Sequence, residues 1–189
     1  MNTQGPTQWL SASTQRRVFI LCSSLAFVVL IILQILDQSL ITKQAPLGIV
    51  SFELAGDFDT SQQILSSWTG DARIYAGLSL GLDFLFLSVY PIAIGLGCVL
   101  VAKRLQGRNR HFALVGLTIA WAQLGAGVMD VIENIALIQL LLGSEQQAFS
   151  YVAYYGALVK FSVVALGLLY ASVGFVMTSF TNAWSRKRP

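Results

Sequence analysis

Charge is what this sequence has least of. Asp, Glu, Lys and Arg make up only 11% of its 189 residues, where a soluble domain carries about 25%. The chain lacks the polar surface that a water-soluble globule of its size needs. A soluble enzyme, a disordered tail and a nucleic-acid module are therefore excluded. Histidine occurs once, as His111, too few for a bis-His haem site or a His-rich metal cage. The two cysteines, Cys22 and Cys98, lie far apart in apolar runs with no CxxC, so thiol–disulfide chemistry has no motif. The sequence also contains no P-loop, HExxH or ExxH, which are the spacings that hold phosphates or ligate zinc and di-iron. No internal repeat relates its halves, as inverted-repeat transporters require. No residue pattern calls for a cofactor or a metal.

What is present is apolar. Hydrophobic residues make up 55% of the chain and the mean hydropathy is +0.67. Four runs, Val18–Leu36, Ile74–Ala102, Phe112–Leu142 and Tyr151–Met177, are long and nearly uncharged. Each reaches or exceeds the roughly 18–20 residues of a membrane helix. Pro91 is a candidate kink in the second run. The first run exceeds the about 7–15 residues of a signal-peptide core and no small-x-small cleavage site follows it, so it reads as an uncleaved first helix.

Nine of the twelve basic residues are Arg16, Arg17, Lys103, Arg104, Arg108, Arg110, Arg186, Lys187 and Arg188, with no acid among them. They lie in the two tails and the second connection. The other connections hold Lys43 and Arg73 against Asp37, Glu53, Asp57, Asp59, Asp71 and Glu145. Basic segments face the cytoplasm, which places both termini inside and explains the pI near 9.0 without nucleic acid. Tyr151, Tyr154 and Tyr155, with Trp9 and Trp184, read as interfacial aromatics.

The fold expected is all-α: residues 1–189 form one four-helix transmembrane bundle, N-in/C-in. Its spans are 18–36, 74–102, 112–142 and 151–177, and its cytoplasmic tails are 1–17 and 178–189. A long, partly structured outer loop, 37–73, joins the first two helices. In that loop GIVSFELA (Gly48–Ala55) alternates in part and reads as extended. Asp59 or Thr60 caps a short helix through Trp68, with Ile64, Leu65 and Trp68 on one apolar face. That face suits the membrane surface or the top of the bundle.

Four charges fall inside the apolar runs: Asp83, Asp130, Glu133 and Lys160. Such residues cost about 2.5–3.5 kcal/mol on insertion scales and are functional candidates by default. Counted from the basic ends at 1.5 Å per residue, they reach one layer about 26–32 Å away, as does Asp37 at the end of the first run. Gln123, Asp130, Glu133 and Asn134 share one helical stripe. Asp83 shares a face with Tyr90. Lys160 shares one with Ala153, Gly156, Gly167 and Gly174, where small side chains admit a close neighbour. Gly77 and Gly81 form a GxxxG of the same meaning.

One cation does not neutralise three or four carboxylates, so either some carboxyls are protonated or a cation or cationic ligand sits among them. The reading is a non-enzymatic integral membrane protein. Its outer-leaflet polar pocket, built from Asp83, Tyr90, Asp130, Glu133, Asn134 and Lys160, would bind a small cationic or amphipathic ligand, or protons. Two rivals stand beside it. One is an intramembrane enzyme acting on a lipid or isoprenoid through carboxyl acid/base chemistry. The other is an accessory or structural subunit whose polar cluster fixes helix register. The bilayer is the expected partner, and a homo-oligomer or membrane-complex partner stays open.

GIVSFELA, ILSSW and LGLDFLFLSVYP, with DVIENIAL and LVKF further on, together resemble a set of small, uncharacterised bacterial four-helix integral membrane proteins. The resemblance covers about Ile49 to Phe161. It implies a bacterial inner-membrane setting, and it carries no activity, cofactor, partner or functional residue.

Overall fold

The computed structural model describes Pro6 and residues 10–185, with side chains through Thr178. Trp9, the Trp184 side chain and the basic cluster Arg186, Lys187 and Arg188 lie outside the described residues. Among the described residues there are six α-helices and no strand: α1 (Ala12–Asp37), α2 (Ile49–Glu53), α3 (Phe58–Ser67), α4 (Ala72–Leu105), α5 (Arg110–Leu141) and α6 (Gln147–Ser185). Helices α1, α4, α5 and α6 are long and apolar enough to cross a membrane.

Local chemistry sets their ends. Ser11 Oγ accepts from the Thr14 N–H at 3.2 Å and Asn109 Oδ1 from the Phe112 N–H at 3.0 Å, so each side chain satisfies a donor that the first turn leaves unpaired. Lys103 and Arg104 occupy the last turn of α4, where cations suit the helix dipole. Helix α5 stops at Gly143, whose φ of 94° is left-handed. The Gly143 N–H then reaches Leu140 O and the Ser144 N–H reaches Gln139 O, both at 3.0 Å, which satisfies the last carbonyls. Pro91 lies inside α4, which continues through it. The apolar residues Leu21, Phe27 and Ile35 of α1 are 68%, 64% and 65% exposed. That exposure suits hydrocarbon rather than water.

The chain divides into two compact units, and each long helix contributes a stretch to both. The first comprises Ser24–Val89 and Gly127–Phe161. Its core gathers Leu40, Phe52, Ile64, Leu65 and Trp68 with Leu80, Leu137 and Leu140. Trp68 meets Phe52 edge-on at 5.4 Å and donates its indole N–H to Leu40 O at 2.9 Å. The apolar face of α3 is thus buried in protein.

Two local expectations are corrected here. GIVSFELA is not extended, because Ile49–Glu53 form a helical turn. Gly48 enters it at a φ of 57°, and Asp37 Oδ1 accepts from the Ile49 N–H at 2.6 Å, from twelve residues away. That carboxylate caps a turn that local propensity alone would not start. Asp57, not Asp59 or Thr60, caps α3. Its Oδ1 accepts from the Thr60 N–H at 2.7 Å and its Oδ2 from Thr60 Oγ1 at 3.0 Å. The Thr60 backbone N–H also holds the Asp57 carboxyl below its usual pKa.

The second unit comprises the described parts of Met1–Ser23, Tyr90–Ala126 and Ser162–Pro189. Cys98, Val99, Val101, Leu105, Ala120 and Tyr170 form its core. Tyr170 stacks on Phe112 at 4.7 Å and donates to Phe112 O at 3.0 Å. Gln123 donates to Val163 O at 2.7 Å. The glycines of α6 serve close approach here: a Cβ at Gly167 would overlap Gln123 and one at Gly174 would overlap Val101. The GxxxG of α4 has no such role. A Cβ at Gly77 would lie 3.8 Å from Leu141 and one at Gly81 would meet nothing within 4 Å, because tertiary packing, not spacing, decides which small residues face a neighbour.

Candidate functional site

The chemistry-bearing residues of the first unit meet at Lys160. On α5, Asp130, Glu133 and Asn134 stand at i, i+3 and i+4, so helical periodicity puts them on one face. On α6, Gly156 and Lys160 are one turn apart. A Cβ at Gly156 would come within 3.1 Å of Glu133 Cβ, so the missing side chain lets the two helices approach closely. Lys160 is thereby brought to the acidic face of α5. Its Nζ lies 2.9 Å from Glu133 Oε1 and 3.0 Å from Asp130 Oδ1.

A third carboxylate comes from outside the long helices. Glu53, at the end of α2, reaches Lys160 Nζ at 3.4 Å. The anchoring of α2 by Asp37, and of Phe52 against Trp68, positions it. The three N–H donors of an ammonium are matched by these three acceptors. The ring of Phe161 also lies 4.8 Å from Nζ, within cation–π range.

On the same unit, Asn134 Nδ2 donates to Asp83 Oδ2 at 2.6 Å. Asp130, Glu133 and Asn134 are almost completely buried, and Glu53 and Lys160 are buried as well. Glu133 Oε2 and Asn134 Oδ1 are buried acceptors without a hydrogen-bond partner among the described residues. Such atoms cost about 1–3 kcal/mol each unless a donor reaches them. Burial pushes the Glu53 carboxyl up to about 7; Lys160 pulls it down, while Asp83 and Asp130 push it higher.

Three carboxyls therefore share one ammonium, with a fourth, Asp83, bonded to Asn134. At low dielectric, like charges this close do not all ionise without compensation. The arrangement is suited to holding protons or a small cation, whose positive charge would balance the acids and whose contacts would satisfy the orphaned oxygens.

Among the residues expected at the site, the structure gathers Asp130, Glu133 and Lys160 directly and pairs Asp83 with Asn134. Tyr90 is buried in the other unit. Asp37, expected in the same charged layer, instead caps α2. Glu53 is the member that sequence reasoning missed, having been counted among the loop charges. The available signal was its setting, an acid between Phe52 and Leu54 in a run without a basic neighbour.

The class that these features define is a membrane protein of all-helical fold, with four helices able to span a bilayer. No family model, curated protein or solved structure matches the chain.

Proposed function

We propose that this is an integral protein of the bacterial cytoplasmic membrane whose Lys160 centre takes up and releases protons. In this reading the chain is one transmembrane domain. Its four spans form a bundle and both termini are cytoplasmic. The observation that carries the reading is the excess of acid at one buried ammonium. Glu53, Asp130 and Glu133 contact Lys160, Asp83 is held beside them through Asn134, and two acceptors remain unpaired. Protons supply the missing positive charge and the missing donors with no change of shape. A larger cationic or amphipathic ligand is favoured less, because the ammonium already has its three acceptors.

Counting protons tests this. Protein in lipid nanodiscs is carried from acid to alkaline through about 7, the region in which Glu53 titrates. Wild type should release more protons than Glu53→Gln over that interval. Equal release would contradict the proposal.

A structural reading has its own observation. Glu53 ties α2 to Lys160, so the centre also latches the segment between α1 and α4. The two roles are separable, because a latch needs the ion pair while a proton store needs the surplus carboxyls.

A further inference from the structure

The second unit carries a groove of its own. It has a volume of about 740 Å³ and lies between the first turns of α1, the end of α4 and the later part of α6. That volume is within the roughly 300–1,000 Å³ of ligand sites. Phe19, Leu100, Ala171 and Phe175 give it an apolar lining, and Arg16 and Arg104 supply its charge. Among the described residues no Asp or Glu lines it. Gly97 forms part of its wall, where a Cβ would come within 3.4 Å of the Phe19 ring and 3.7 Å of Ala171. Both arginines are exposed, and neither takes part in an ion pair among the described residues. Lys103, next in sequence to Arg104, is engaged by Gln15 Oε1 at 2.8 Å. The groove thus offers two guanidiniums without a counter-ion among the described residues, beside an apolar channel open to its surroundings.

We infer that this groove binds one phospholipid with an anionic headgroup, its phosphate held by Arg16 and Arg104 and an acyl chain lying along Phe19, Leu100 and Phe175. A guanidinium offers paired N–H donors that match phosphate oxygens. Basic pockets between membrane helices recognise anionic headgroups. A free phosphate ion would use the arginines but leave the apolar lining without a partner. A zwitterionic lipid would bring a choline or ammonium towards two positive charges.

The test is lipid retention. Full-length protein in nanodiscs of phosphatidylglycerol and phosphatidylcholine in equal parts is released from the bilayer, and bound lipid is read by native mass spectrometry. Wild type should keep phosphatidylglycerol in preference. Arg16→Gln with Arg104→Gln should reduce that retention about tenfold or more, the scale of losing charge-assisted phosphate contacts. Arg17→Gln with Arg110→Gln removes the same charge at arginines that do not line the groove, and it should leave retention near wild type. Arg16→Lys with Arg104→Lys, which keeps charge but loses the fork, should fall between. Equal retention of both lipids would overturn the proposal, as would an equal loss in the two Gln pairs. A dimer abolished by the groove pair, with no lipid held, would assign the groove to a second copy and overturn it too.

Discussion

Lys160 concentrates the electrostatics of the first unit in one atom. Its ammonium meets Glu133, Asp130 and Glu53 at 2.9, 3.0 and 3.4 Å. Breaking a buried pair by removing one partner costs about 3–5 kcal/mol, because charge is left uncompensated. Lys160→Met should show such a loss in thermal unfolding on the alkaline side of 7. The loss should shrink toward acid, where the carboxyls neutralise themselves by binding protons. A loss independent of pH would mean that the carboxyls do not take up protons in the lysine's place. Glu53 gives a second expectation. Its carboxyl rises from 4.5 to about 7 on folding, so between those values the folded chain holds a proton that the unfolded chain has released. Stability should therefore fall as pH rises from 4.5 to about 7, and level off above. Glu53→Gln should flatten that slope in a melting series; an unchanged slope would place its origin elsewhere. The stripe Asp130, Glu133 and Asn134 was legible from helical spacing alone. Glu53 was not, because its pairing depends on how a loop segment folds back, and no local periodicity encodes that.

Helix α6 shows how far a small residue's meaning depends on its neighbour. Gly174 lies where a Cβ would overlap Val101, whereas Gly81 of α4 faces open space. Gly174→Ala should destabilise by about 1–3 kcal/mol through overpacking. Gly81→Ala should be neutral or gain about 0.5–1 kcal/mol from reduced backbone freedom in the unfolded chain. Denaturant unfolding of the pair checks this, and equal effects would contradict it. The existence of the four long helices was readable from hydropathy, since length and the scarcity of charge leave little alternative. The short α2 was not readable. Its first donor is satisfied by Asp37 across twelve residues, and a turn capped from such a distance leaves no local signature. Helix α3 was readable as an element but not at its start, because Asp57, Asp59 and Thr60 are all competent cap residues within four positions, and it is Asp57 that accepts from the Thr60 N–H.

Across the whole molecule the charges sort by sign. Arg16, Arg17, Lys103, Arg104, Arg108 and Arg110 have no acid among them, while α1 ends at Asp37 and the segment between α1 and α4 holds Glu53, Asp57, Asp59 and Asp71 against Lys43 alone. Under the positive-inside rule, a cysteine placed at Gln63 should react with an impermeant reagent added outside intact cells. One placed at Arg108 should react only after permeabilisation. The opposite pattern would invert the proposed orientation. The stripe that sequence read as a single face is divided: Gln123 bonds within the second unit, while Asp130, Glu133 and Asn134 serve the first. A repeat along one helix fixes the face but not the depth at which each residue finds its partner. The account rests on surplus carboxyls that hold protons around Lys160, and infrared spectroscopy of the protonated carboxyl stretch reads this most directly. Wild type in nanodiscs near neutral pH should show that band, and Glu133→Gln and Glu53→Gln should each alter it. A spectrum of ionised carboxylates alone, identical in all three proteins, would contradict the account.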